Sequence, residues 1–539
     1  MKIDEFITGL RNDHNIVISV QDENLKISAE KKSLTQEILE AIRVRKSQIV
    51  DFFRTGSSRP AAQAILRVEE RPHYRASSAQ RRMYFLQQLE KNSVAYNLPY
   101  LAKLEGVLDV ERLNQAFGKL IARHESLRTS FEMVNGGLVQ RIADRVEFRI
   151  ADITTGEQDI HDLLKTFIKP FDLENGPLLR AALLRTASGE QFLFIDMHHI
   201  ITDGFSQRLL VKDFADLYEG TELAPLALQY KDYAEWQQQH TQEEKMAQQR
   251  RFWLDEFSEL PSAIELPADL QRPAIKTYKG SALTFHVDKT QTERLNAIAK
   301  NENATLFMVL LAAYAVLLNK LSNQQGIVIG TSAAGRRQVE LEGIIGLFIN
   351  MLAIRSEVRP DMRFRELLSE LRRRTLACFE NQDFQYDQLV EELKMERHPA
   401  RNPLFDVTFD LQNFEISTLK IPDLSISAIP HKRDIAKFDM ALTGWEQDGQ
   451  LNFHLEYAST LFKEDTIEQF AVYFKKILSV ISADTDILIG NLGILSEDQQ
   501  NRMLYDFNAT SVSYPEDKSI VDLFEEQVLR TPGGIALRW

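Results

Sequence analysis

Two rhythms of apolar residues organise this chain. In the first 54 positions Ile3, Phe6, Ile7 and Leu10 recur at helical spacing. Two short apolar-rich runs, residues 15–20 and 24–28, flank Gln21-Asp22-Glu23 and predict a β-hairpin. Leu34, Ile38, Leu39 and Ile42 then mark one face of an amphipathic stretch, and a second stretch runs through Val50 and Phe53. The run from Thr55 to Pro60, TGSSRP, reads as a linker. From Tyr74 to Ala483 strand-like and helix-like patterns alternate without an internal repeat, which predicts an α/β (α+β) body and excludes a solenoid. At about 410 residues this body exceeds the ~250–300 that one core supports, so it should form two lobes. The division expected is a small unit over residues 1–54, a linker over 55–73, lobes over 74–245 and 246–485, and a tail over 486–539. In the tail, residues 519–529 predict a helix and residues 535–539 a strand.

Composition narrows the functional classes. Apolar residues make up 44% and charged residues 26% of the 539, values that argue against wholesale disorder or a membrane body. The longest apolar run, residues 306–318, falls short of the ~20 needed to span a bilayer and reads as a core helix. Acids outnumber bases 78 to 64, a net charge of −14, the opposite of a general nucleic-acid binder. Cys378 is the only cysteine, which excludes an internal disulfide and suits a reducing cytoplasm. Residues 1–54 are charge-balanced, so the acidic surplus lies on the body. Within them Arg43, Arg45 and Lys46 form a basic cluster, either a solvated helix face or a docking patch for an acidic peptide tail.

The window QFLFIDMHHIITDGFSQRLLVKDFADLY, residues 191–218, holds the densest candidate chemistry. Residues 192–197 read as a strand buried on both faces, and Leu209, Leu210, Phe214, Leu217 and Tyr218 mark a helix. His198, His199 and Asp203 fall at the junction. Side chains alternate along a strand, so only one histidine should face a cavity while the other is held in the core. A neutral histidine there can take a proton from an attacking nucleophile. Asp203 can orient the imidazole, cap the helix or pair with a distant arginine. A metal site is disfavoured, because the chain has no H-E-x-x-H and no Cys/His cluster.

HHIITDG, His198 to Gly204, resembles the HHxxxDG signature of the condensation domains of non-ribosomal peptide synthetases. The other motifs of that family follow in order: SAQRRMY from Ser78, RHESLRTSF from Arg123, YKDYAEW from Tyr230, IGLFIN from Ile345 and RNPLF from Arg401. Residues 1–54 resemble a TubC-type docking domain, and the run from Asn508 to Trp539 resembles the lead-in to an adenylation domain.

The resemblance implies two chloramphenicol-acetyltransferase-like lobes in a V-shaped pseudodimer with a tunnel between them. An upstream donor carrier protein and a downstream acceptor carrier protein would each bring a 4'-phosphopantetheine arm, with no cofactor attached to this chain. The acceptor amine would attack the donor thioester, and residues 1–54 would hold the C-terminal tail of the upstream subunit. By resemblance His199, with His198 beside it, faces the tunnel as base, amine holder or stabiliser of the intermediate. Gly204 keeps its backbone open there. Asp203 is structural and pairs with Arg336, while Asn350 shapes the tunnel. The Arg123 and Tyr230 motifs serve packing and lobe joining, and Arg81 and Arg128 offer cations to a carrier phosphate or a partner carboxylate. Phe205 stands where the family commonly has tryptophan, a change expected near the acceptor side. Motif wording points to the subtype joining an L-donor to an L-acceptor. Two rivals are an acyl-CoA-dependent acyltransferase of the same fold and a non-catalytic domain that only recruits carriers.

Overall fold

The computed structural model of the chain describes residues 17–21, 24–28, 36–46, 64–154, 160–240, 244–396, 398–412, 419–429, 434–513 and 515–537. The helix expected over residues 3–10 and the stretch through Val50 and Phe53 lie outside them. Strand β1 (Val17–Gln21) pairs antiparallel with β2 (Asn24–Ser28), Val17 opposite Ser28 and Gln21 opposite Asn24. The amphipathic stretch that follows is the helix Gln36–Val44.

In the body the strands are β3 (Tyr74–Arg75), β4 (Asn97–Gly106), β5 (Thr129–Val134), β6 (Gly137–Ile142), β7 (Ala151–Thr154), β8 (Leu179–Arg185), β9 (Gln191–His198), β10 (Gly280–Val287), β11 (Gly326–Ala333), β12 (Asn350–Glu357), β13 (Val407–Gln412), β14 (Leu419–Ile421), β15 (Leu424–Ala428), β16 (Met440–Gln447) and β17 (Gln450–Ala458). They form two six-stranded sheets, ordered β14-β15-β4-β9-β8-β7 and β10-β17-β16-β13-β11-β12, and a small sheet β3-β6-β5. Strand β9 is internal, antiparallel to β4 on one side and β8 on the other. That position explains its unbroken apolar run, because both faces are covered. The helices Val110–Arg123 and Gly204–Glu219 cover one face, with Phe117 and Phe214 in ring contact at 5.2 Å. In the second lobe the helix Leu306–Ser322 is buried throughout residues 308–318 and packs against the helix Glu464–Ala483, Tyr314 meeting Phe474 edge-on. The long apolar run is therefore a core helix.

The two lobes are not sequential blocks. Hairpin β14–β15, drawn from the second lobe's stretch of chain, completes the first lobe's sheet, with Leu424 opposite Gly106 and Ala428 opposite Ala102. Ile421, Leu424 and Ile426 bury their side chains in the first lobe's core, as do Ile345 and Leu347. A cut at residue 245/246 thus leaves part of the first lobe in the second, because these apolar side chains find their cover across the boundary. Gly106 makes the crossing close: its φ is +122°, and a Cβ there would lie 2.1 Å from the Asp423 carbonyl oxygen. In the tail, Ser519 caps the helix Ile520–Arg530. Residues 535–537 are not in a strand, contrary to the pattern-based expectation.

Candidate active site

The junction at the end of β9 turns two adjacent histidines apart. His198 closes the strand, and its Nδ1 accepts the N–H of Ile200 at 3.1 Å, starting the single turn His199–Ile201. Its Nε2 then carries the proton and donates to Gln87 Oε1 at 3.3 Å. His198 is fully buried, and burial first, then the neighbouring His199, pushes its pKa down to about 3. This ring fastens the strand end to the helix Ser78–Leu89.

His199 lines a cavity of about 1480 Å³ between the lobes. Its backbone N–H donates to the Tyr96 carbonyl at 2.8 Å. Its Nδ1–H donates to the Thr202 carbonyl at 2.7 Å, which fixes the neutral tautomer with the lone pair on Nε2. No described residue bonds that Nε2, and it is not sealed from the cavity. Burial, then the charge of Lys437, lowers the pKa of His199 to about 4, so the ring is neutral at physiological pH.

Asp203 does not bond the imidazole. Its Oδ1 caps the helix Gly204–Glu219 by accepting from the Ser206 N–H at 2.8 Å, and its Oδ2 accepts from the Phe348 N–H at 2.9 Å. Arg336 reaches Asp203 Oδ1 at 3.3 Å and Ser206 Oγ at 2.7 Å, and also donates to the carbonyls of Leu341 and Ile344. The guanidinium is sandwiched against Phe348 and Phe205, at 3.9 and 4.7 Å from their ring centroids. Phe205 thus stacks on the junction cation and is not among the residues lining the cavity. Gly204 is likewise not on the cavity wall; a Cβ there would meet nothing within 4 Å.

Asn350 is buried and ties down a loop. Its Nδ2 donates to the carbonyls of Gln382 and Phe384, both at 2.9 Å, and its Oδ1 accepts from the Tyr386 N–H at 3.0 Å. Tyr386, held in this way, does line the cavity. The remaining motifs join elements. Arg123 and His124 share Asp213, and Lys231 pairs with Glu125 at 3.0 Å. Tyr230 bonds Ser77 Oγ and the Leu347 carbonyl, and it lies so close to Gly346 that a Cβ there would sit 1.9 Å from the ring. Arg128 is engaged with the Ala143 carbonyl, whereas Arg81 lines the cavity. In the first unit Arg43 and Lys46 are exposed, and half-buried Arg45 donates to the Ala41 carbonyl at 3.3 Å.

Sequence patterns did not single out three other cavity residues. Tyr96 of the first lobe and Tyr278 of the second meet edge-on at 6.1 Å, and the Lys437 ammonium lies 5.0 Å from the Tyr96 ring centroid. The cavity next to His199 thus carries a cation and two phenols. Among the described residues no group of three or more His, Cys, Asp or Glu comes together as a metal site.

Two sheet-and-helix lobes sharing a cavity, with a neutral histidine on its wall, define the chloramphenicol-acetyltransferase-like class of folds. A profile of the Condensation domain matches residues 70–504, and one of the TubC N-terminal docking domain matches residues 3–55. Similar proteins are bacitracin synthase 3 of Bacillus licheniformis, 41% identical over 88% of this chain and 8% of that protein, and gramicidin S synthase 2 of Aneurinibacillus migulanus, 41% identical over 88% and 11%. The chain spans less than a fifth of the length of such curated relatives. Among solved structures, the X-domain in complex with OxyB from teicoplanin biosynthesis superposes with a TM-score of 0.75 at 26% identity, covering 82% of this chain and 99% of that one. A four-domain nonribosomal peptide synthetase bound to AMP and glycine shares the fold, with a TM-score of 0.74 over 80% of this chain and 35% of that one. The chain belongs to the condensation-domain family of nonribosomal peptide synthetases and carries a TubC-type docking domain before it.

Proposed function

We propose that this domain forms a peptide bond between two carrier-tethered substrates in the inter-lobe cavity, joining an L-donor to an L-acceptor. The observation that carries the reading is His199, its Nε2 lone pair unpartnered in the cavity and its tautomer fixed by Thr202. The acceptor amine attacks the donor thioester carbonyl, a C–N bond forms, and the carbonyl electrons move onto oxygen. Collapse of this intermediate breaks the C–S bond, and the amine proton leaves with the departing thiol. An imidazolium is costly at this position, so His199 acts first as the acceptor that aims the amine, taking its proton only as the nitrogen becomes cationic. Fixing two tethered reactants supplies effective molarities of ~10⁵–10⁸ M, so positioning outweighs acid–base help of ~10²–10⁴-fold. Lys437 lines the same cavity and its charge is felt at His199, so it adds positive potential where the oxyanion develops.

The test is intact-protein mass spectrometry of donor- and acceptor-loaded carriers mixed with wild type or His199→Ala. Product from wild type and its loss in the variant support the reading; unchanged rates in the variant sink it. Turnover of free acyl-CoA without a carrier would favour the acyltransferase rival. Residues 1–54 serve to capture the upstream subunit's tail, with Arg43, Arg45 and Lys46 as its basic patch. Their deletion should weaken that capture and spare reaction with excess free carrier, and unchanged upstream affinity would rule the role out.

A further inference from the structure

Strand β13 and the residue before it divide between core and cavity. Val407 and Phe409 are buried in the second lobe's core, whereas Asp406, Thr408 and Asp410 line the cavity. The two carboxylates on that face are in different situations. Asp406 is answered on both oxygens, by the Asn402 N–H at 2.8 Å and the Arg401 guanidinium at 3.1 Å. Asp410 has all its donors on one oxygen: the Ser332 N–H at 2.9 Å, the Ser332 hydroxyl at 2.6 Å and the Thr331 hydroxyl at 3.3 Å converge on Oδ1. Oδ2 has no hydrogen-bond partner among the described residues and is not sealed off. Three donors hold the carboxylate in one orientation. A fixed carboxylate with one oxygen presented to a cavity is a receptor for a cation. Met351, cross-strand from Ser332, lines the same wall and offers apolar cover to the stem of such a guest.

We propose that Asp410 receives, inside the cavity, the cationic end of a substrate side chain, so that one of the two tethered residues carries an apolar stem ending in an ammonium or guanidinium. The inference rests on the reading of the cavity as the meeting place of two tethered substrates. Donor and acceptor are the two sources of such a side chain, and the experiment separates them. Carriers are loaded with lysine or with its neutral near-isostere norleucine, the donor being N-acetylated, and the four pairings are followed by mass spectrometry with the full chain. Wild type should favour lysine on one of the two carriers by about tenfold, the difference expected of one charge-assisted contact. Asp410→Asn keeps an acceptor for Ser332 and should erase that preference, the lysine and norleucine pairs then reacting at similar rates. Asp410→Lys should turn the preference towards a glutamate-loaded carrier. Product without any lysine preference in wild type, or a preference retained in Asp410→Asn, overturns the assignment and leaves the condensation reading standing. No product from any pairing overturns both.

Discussion

The lobe junction and the cavity beside it meet at the HHIITDG segment and differ in how their polar groups are used. At the junction Asp203 accepts from two backbone N–H groups and Arg336, and Arg336 in turn donates to two carbonyls and a hydroxyl. On the cavity wall His199 uses one ring nitrogen and leaves the other open, and Asp410 uses one oxygen and leaves the other open. A buried polar group with its bonds made fixes structure; one held by half its bonds and open on the other half is oriented for a guest. HHIITDG contributes to both regions, so membership in a motif does not by itself mean a role in chemistry. Substitutions should therefore separate the two regions by what they damage.

The largest effect is expected at the junction. Asp203→Ala leaves the Arg336 charge buried, its side chain 3% exposed, and removes the acceptor for the Ser206 and Phe348 N–H groups. Breaking such a pair costs about 3–5 kcal/mol, to be read from urea denaturation. If the pair is the cause, Asp203→Ala combined with Arg336→Met should recover part of that loss. His199→Ala should reverse the pattern. Its melting temperature should stay near wild type while the condensation rate falls ~10²–10⁴-fold.

A subtler separation comes from titration. The folded pKa of His199, about 4, lies below the ordinary histidine value of 6.5, and that of His198, about 3, lies lower still. Between those values and 6.5 the unfolded chain binds more protons than the folded one. Stability is therefore complete above about pH 6.5 and declines as pH falls towards 4 and then 3. Removing a cation makes an imidazolium less costly, so Lys437→Met should raise the His199 pKa. Nuclear magnetic resonance of the labelled ring is the measurement, and an unmoved titration would detach Lys437 from the site.

Much of this was legible in the chain because the signals are local. The apolar run of β9, the helix spacing after Gly204 and the strand-end alternation placed one histidine in the core and one in a cavity. The core helix over residues 306–318 was equally plain, since its apolar residues exceed any single face. What escaped is non-local. Nothing in residues 419–428 says which lobe's sheet the hairpin will join, because the deciding contacts lie some 320 residues away at Gly106 and Ala102. Asp410 was invisible for a related reason. The alternation in VTFDLQ shows that one face of the strand is polar, and the same pattern serves a face turned to solvent or to a substrate. Lys437 and the Tyr96–Tyr278 pair meet only once the lobes close on each other.

The smallest structural effect should come from Gly204→Ala, which for that reason tests the comparison most sharply. Gly204 opens the helix Gly204–Glu219, its φ is not in the left-handed region, and an added Cβ meets no atom within 4 Å. Alanine is the better helix residue, so stability should hold or rise by up to about 1 kcal/mol. If Gly204 served only the junction, the variant would be as active as wild type. If its open backbone is approached by the phosphopantetheine arm or the reacting thioester, the methyl group obstructs that approach. Steady-state rates should then fall with KM for one carrier rising, while the urea midpoint stays at or above wild type. A stable variant with full activity would assign Gly204 to the junction with Asp203.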